Sequence, residues 1–245
     1  SEKRFEEAYR LFATAQQGPK GSLAELGATL ARLHEESTSD TRLTLILARN
    51  LSLEARFDES TSLLQELSCV DEASTERVLE ILLEMLDANP EHFEANRLLA
   101  QRAARAKDPQ KSLDPIVRML SHDEMDPSKL DEIVSDYWSL FETNSLFLIP
   151  YAGLKARKHE YTEALATYRK ALDIDGIHWS RVLEEAGRYS WPEEIRGQSE
   201  LLKIDCMIEG GSHSEAFAAM ENQRVENPKY AEELVQRLSR LIERG

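Results

Sequence analysis

The chain has 245 residues, with 45 acidic and 30 basic side chains and a formal net charge of −15. Only ten glycines and eight prolines occur, too few for the closely spaced turns of an all-β sandwich or barrel. The acidic balance argues against nucleic-acid binding, and no apolar run is long enough to predict a membrane span.

The first two predicted helices lie within residues 1–40. Each has apolar residues at the three- and four-residue spacing of one helix face. The first contains Phe5, Ala8, Phe12 and Ala15, and the second contains Leu26, Leu30 and Leu33. Further helices with the same spacing follow, and turn-forming pairs such as Asn89-Pro90 and Gly210-Gly211 separate them. The sequence therefore predicts an all-α fold.

A step of 52 residues relates the later helices to one another. Small side chains recur at this step at Ser60, Ser112, Ala164 and Ala216. In the helix before them, the recurring residues are Ala48, Ala100, Ala152 and Ile204. We therefore expect three-helix units at 41–92, 93–144, 145–196 and 197–245, after a partial unit at 1–40. Together they are predicted to form one repeat domain over 1–245, and the opening in mid-unit predicts a longer parent protein.

The first two helices of each unit resemble the helical hairpin of the tetratricopeptide repeat. In residues 145–178 the residues that carry the resemblance are Ala152, Tyr161, Ala164, Tyr168, Ala171 and Gly176. The resemblance implies a right-handed α-solenoid in which small residues let paired helices approach closely. That family repeats about every 34 residues, so the longer step implies a third helix per unit. This helix is expected either to continue the solenoid as a half-repeat or to complete a three-helix unit.

Two prolines should modify the predicted helices. Pro115 and Pro150 fall inside the expected helical stretches, where proline removes a backbone donor and clashes with the preceding turn. We therefore expect kinks or late helix starts at both positions.

Residues that could support catalysis are scattered. No histidine pair has the i, i+4 spacing of a zinc-binding helix, and neither a glycine-rich phosphate loop nor a nucleophile elbow is present. Cys69 and Cys206 are far apart in the sequence and are expected to be buried, inert thiols. The sequence thus predicts no enzyme activity, no bound metal and no cofactor within these residues.

The resemblance also implies a binding surface. In the tetratricopeptide family, one face of the first helix of each hairpin lines a concave groove that holds peptides. Carried over to this chain, that face holds Arg42, Arg49, Arg97, Gln101, Arg105 and Arg157. Guanidinium groups pair well with carboxylates, so an acidic or C-terminal peptide segment is the expected ligand. The alternative is that these arginines only balance neighbouring acids on a solvated face.

The expected function is that of a scaffold that binds a protein or peptide partner on an extended helical-repeat surface. One alternative is a structural segment that associates with copies of itself. Another is an accessory domain of a larger enzyme or of a secretion or assembly machine. The cytoplasm is the expected compartment, with the periplasm as the alternative if a signal segment precedes residue 1.

Overall fold

The computed structural model of the protein describes residues 2–16, 21–37, 39–67, 72–105 and 109–244. Within these ranges the chain forms fourteen α-helices and three short 3-10 helices, and no β-strand. The predicted all-α class is therefore confirmed. The chain divides into two compact units, Ser1–Met119 and Leu120–Gly245.

Six α-helices lie in the first unit, and a seventh ends at the first residue of the second unit. They are α1 (Glu2–Gln16), α2 (Gly21–Glu35), α3 (Thr41–Leu53), α4 (Phe57–Glu66), α5 (Glu72–Ala88), α6 (Phe93–Arg105) and α7 (Leu113–Leu120), the last preceded by a 3-10 helix at Pro109–Ser112.

The remaining seven α-helices belong to the second unit. They are α8 (Pro127–Phe141), α9 (Ser145–Arg157), α10 (Tyr161–Ile174), α11 (Trp179–Gly187), α12 (Glu193–Glu209), α13 (His213–Glu226) and α14 (Ala231–Arg244), with 3-10 helices at Gly176–His178 and Pro228–Tyr230.

Side-chain caps fix the starts of three helices. The carboxylate of Asp40 accepts a hydrogen bond from the backbone N–H two residues later, at 3.1 Å, where α3 begins. Asp126 and Asn144 make the same bond at the starts of α8 and α9, at 2.9 and 3.0 Å. Each cap satisfies a backbone donor that has no partner within its own helix.

Three helix ends share one turn geometry. Ala55, His159 and Gly211 follow α3, α9 and α12, and their φ angles are 62°, 62° and 75°. The N–H of each residue donates to the carbonyl three residues earlier, and the next N–H donates to the carbonyl five residues before it. This is the Schellman motif, whose left-handed residue is most often glycine.

The prolines act differently in their two helices. Pro115 lies in the first turn of α7, which begins only at Leu113 after a 3-10 helix. The predicted late start is therefore present. Pro150 lies inside α9, which continues from Ser145 to Arg157 without a break.

Small residues lie where paired helices meet. Ala48 and Ser60 are fully buried between α3 and α4, and the Ser60 hydroxyl donates to the Ala48 carbonyl at 2.8 Å. Ala152 and Ala164 are fully buried on α9 and α10, which also pack together. Small side chains allow such close approach of two helices, as predicted for these positions.

Candidate functional site

The six predicted groove residues are distributed over three helices. Arg42 and Arg49 lie on α3, Arg97, Gln101 and Arg105 lie on α6, and Arg157 lies on α9 in the second unit. Their surroundings differ.

Arg42 and Arg49 line one groove, about 470 Å³ in volume, between α1, α3 and α5 of the first unit. We call it the α1–α3–α5 groove. Its lining residues are Phe5, Tyr9, Phe12, Arg42, Leu45, Ile46, Arg49, Arg77, Glu80 and Ile81. The structure therefore brings two of the predicted arginines together with one that was not predicted, Arg77.

Aromatic rings from α1 form one wall of this groove. Tyr9 is 58% exposed although it is large and partly apolar, and its ring centroid lies 6.1 Å from that of Phe5. The guanidinium of Arg42 lies 4.3 Å from the centroid of the Phe5 ring. This cation–π contact orients the Arg42 side chain along the wall. Buried Leu45 and Ile81 supply apolar surface on the opposite helices.

The groove lining is locally basic. It contains three arginines and one glutamate, in a chain whose net charge is −15. Arg49 forms a two-pronged ion pair with Glu84, at 3.0 and 2.5 Å, but both side chains are about 40% exposed. Exposed pairs of this kind stabilise a fold only weakly. Arg77 is exposed and has no ion-pair partner among the described residues.

The predicted residues on α6 do not line this groove. Arg97 pairs with Glu94 one turn earlier, with an Nε–Oε2 distance of 2.8 Å. Gln101 is partly buried, and Arg105 is exposed at the end of the helix. The Arg97–Glu94 and Arg49–Glu84 pairs are those that the alternative interpretation, arginines balancing neighbouring acids, leads one to expect.

Arg157 serves the packing of the second unit. Its guanidinium donates to the carbonyl oxygens of Leu120 and His122, at 2.7 and 2.5 Å. These carbonyls lie at and just after the end of α7, where helix carbonyls lack partners within the helix. Arg102 does the same in the first unit by donating to the carbonyls of Leu64 and Leu67 at the end of α4.

A second cleft, of about 250 Å³, lies in the second unit between α10, α12 and α14. Here the buried carboxylate of Asp205 accepts from Arg237 at 2.6 Å, and Arg240 approaches it to 3.9 Å. Arg169 also lines the cleft and donates to the carbonyl of Gln198. Burial raises the pKa of the Asp205 carboxyl, and the charge of Arg237 opposes this rise. In this cleft a lining arginine is paired with a lining carboxylate, whereas Arg49 of the α1–α3–α5 groove pairs with Glu84, which does not line that groove.

The sequence pattern missed the aromatic wall and Arg77. Phe5, Tyr9 and Phe12 are spaced at i, i+4 and i+7, which places three aromatic rings along one side of a helix. That spacing could have identified the wall. No local pattern predicts that Arg77 lines the same groove as Arg49, because the two residues lie on different helices.

Across the described ranges, no group of three or more His, Cys, Asp or Glu side chains has an arrangement that could hold a metal ion. Cys206 is buried with a free thiol, and burial raises its pKa to about 12. Cys69 lies outside the described residues. None of the described helices is both long and apolar enough to cross a membrane.

No protein-family model matches this chain, and no curated protein does so either.

Proposed function

We propose that this protein is a helical-repeat scaffold whose α1–α3–α5 groove binds an acidic peptide segment of a partner protein. The single observation that carries the proposal is the basic, aromatic-walled groove in an otherwise acidic chain. A carboxylate of the peptide would pair with Arg77, and an apolar side chain would lie against Tyr9 and Ile46. Such a combination of one anchor and one charge pair is typical of peptide recognition.

The proposed repeat unit of 52 residues is supported by the positions of the helices. α3, α6 and α9 begin at residues 41, 93 and 145. The segments that follow them begin at residues 57, 109 and 161, and α13 begins at 213. The left-handed residues Ala55, His159 and Gly211 fall on the same step. We propose that the 52-residue repeats stack as a right-handed α-solenoid, as the resemblance to tetratricopeptide repeats implies.

A direct test uses fluorescein-labelled peptides with a central Leu or Phe flanked on both sides by Asp and Glu. Binding to the full chain is measured by fluorescence anisotropy, with the same peptides carrying Asn and Gln as neutral controls. The double variant Arg49→Glu/Arg77→Glu should weaken binding of the acidic peptides at least tenfold, because both charges that face the peptide are reversed. Higher salt should also weaken binding of the unaltered protein.

Two further double variants locate the effect. Arg118→Glu/Arg181→Glu reverses two exposed arginines away from the groove, so it matches the change in net charge and should leave affinity unchanged. Arg97→Glu/Arg105→Glu tests the predicted surface on α6. If the control weakens binding as much as the groove variant, net charge rather than the groove selects the peptide, and the proposal is wrong.

A further inference from the structure

The last two helices of the described chain each expose large apolar side chains. Phe217 on α13 is 49% exposed, and Leu238 and Ile242 on α14 are 36% and 72% exposed. We call this set of three residues the α13–α14 face. Solvent contact of three such side chains is unfavourable unless something covers them.

The corresponding residues of the first unit are covered. Three repeat steps before Phe217, Leu238 and Ile242 stand Thr61, Leu82 and Leu86 on α4 and α5, and these are 3%, 0% and 2% exposed. The helix that covers this surface is α6, which packs against both α4 and α5. Its residues Ala95, Leu98 and Leu99 belong to the same buried cluster as Leu82 and Leu86.

The pair α10 and α11 in the second unit shows the same arrangement at two of the three positions, while the counterpart of Ile242, Ser190, lies after α11 and is exposed. Leu165 and Ala186, one repeat step before Phe217 and Leu238, are 1% and 5% exposed. Here α12 packs against both α10 and α11. In both places, a single helix lies across the surface that the α13–α14 face leaves open.

We propose that the α13–α14 face binds one amphipathic helix of a partner protein, an inference that rests on the proposed repeat. The chemistry of α6 defines this helix. It has small and large apolar residues at the spacing of Ala95, Leu98 and Leu99, and an arginine one turn further on. In α6 that arginine is Arg102, which donates to the free carbonyls at the end of α4. The partner's arginine would reach the carbonyls at the end of α13 in the same way.

Charge and size both favour a partner helix over a second copy of this chain. Helices α13 and α14 together carry six glutamates and four arginines, so their surface favours a basic helix, whereas every copy of this chain carries a net charge of −15. A stable protein dimer buries roughly 800 Å² on each partner, and three side chains supply well under that area. A single helix docked into a groove needs less.

The test uses a fluorescein-labelled peptide with the sequence of residues 93–105. It is extended with alanine-rich turns, because an isolated helix of this length is marginal in water. Binding to the full chain is followed by anisotropy. We expect saturable binding, lost when Leu98 and Leu99 of the peptide are both replaced by Asp, and weakened several-fold by Arg102→Gln in the peptide.

Variants of the protein locate the binding site. Ile242→Glu and Phe217→Ser should each weaken peptide affinity at least tenfold. Val225→Asp is the matched control, because Val225 is 71% exposed on α13 and its counterpart one step earlier, Asp173, is also exposed. All three changes are at exposed positions and should leave the helical circular dichroism unchanged.

Several results would overturn the inference. They are absence of peptide binding, binding that is insensitive to Ile242→Glu, and a dimer in sedimentation that Ile242→Glu dissociates. The acidic-peptide test is separate, since it depends on Arg49 and Arg77 and uses ligands of opposite charge. Failure there with success here would remove the groove proposal and leave the α13–α14 face standing.

Discussion

Substitutions at the turn residues Ala55 and Gly211 are predicted to change the stability of the fold in opposite directions. Both adopt the left-handed conformation at the end of a helix, with φ of 62° and 75°. A non-glycine L-residue in this conformation loses about 1–2 kcal/mol through the clash of its Cβ with the backbone. Glycine avoids the clash but loses more chain entropy on folding, about 0.5–1 kcal/mol. The net preference for glycine is therefore about 0.5–1 kcal/mol.

Ala55→Gly should stabilise the fold by that amount, and Gly211→Ala should destabilise it by a similar amount. Steric clash with neighbouring residues adds nothing to the cost of Gly211→Ala, since a Cβ added at Gly211 would meet no atom within 4 Å. The cost is thus backbone strain alone. At His159 the gain should be smaller, because its ring nitrogen lies 2.7 Å from the Tyr161 hydroxyl, and glycine would lose that contact.

Urea unfolding followed by far-UV circular dichroism measures these changes. With a slope of about 2 kcal/mol per molar urea, each substitution should move the midpoint by roughly 0.3–0.5 M. Gly187→Ala is the control: it also has open space around its Cβ, but it lies at the end of α11 without a positive φ. It should be neutral or stabilising. The argument from backbone conformation would be refuted if Ala55→Gly destabilised the fold. It would also be refuted if Gly211→Ala and Gly187→Ala changed the urea midpoint equally.

Three further predictions concern buried polar groups. Ser60→Ala should lower the unfolding free energy by about 1 kcal/mol through loss of the buried bond to the Ala48 carbonyl, as measured by urea titration. Asp205→Ala should cost about 3–5 kcal/mol, because it leaves Arg237 buried and unpaired, and leucine at both positions should recover most of that loss in thermal unfolding. Burial raises the pKa of the Glu185 carboxyl, so ionisation of this carboxyl opposes folding. The contribution of the protonated carboxyl to stability is fully present below the unfolded-state pKa and is lost as pH rises through the folded-state pKa. Glu185→Gln should therefore stabilise the fold near neutral pH and have little effect in acid, and an equal gain at both pH values would contradict this assignment.

The helical fold was predictable from the sequence because its determinants are local. Apolar spacing, capping residues such as Asp40 and Asn144, and the breakers between helices act within a few residues of one another. The small residues at Ser60 and Ala164 could also be predicted, since close helix packing leaves little choice of side chain. The left-handed turns at Ala55 and His159 could not, because neither residue has the preference for that conformation that glycine has.

The candidate site was only half predictable. Arg42 and Arg49 were identified because they follow a helix face, which a sequence pattern reports. Arg157 follows the same face, yet it donates to the carbonyls at the end of α7. Its role depends on where another helix ends, and no spacing within α9 contains that information. The network of Asp205 and Arg237 is equally non-local, since its two members lie on different helices.

The two clefts support the proposed repeat. They lie between corresponding helices, and charged residues at corresponding positions on these helices have opposite signs. Three repeat steps separate Arg49 from Asp205, and the same distance separates Glu84 from Arg240. In the first unit, the cation on α3 pairs with the anion on α5. In the second, the anion on α12 approaches the cation on α14 at 3.9 Å, and Arg237 completes the pair where Ile81 stands in the first. The second cleft thus has a charged arginine at the position where the first has an isoleucine. Because the first cleft keeps its apolar wall, it is the one suited to binding a peptide.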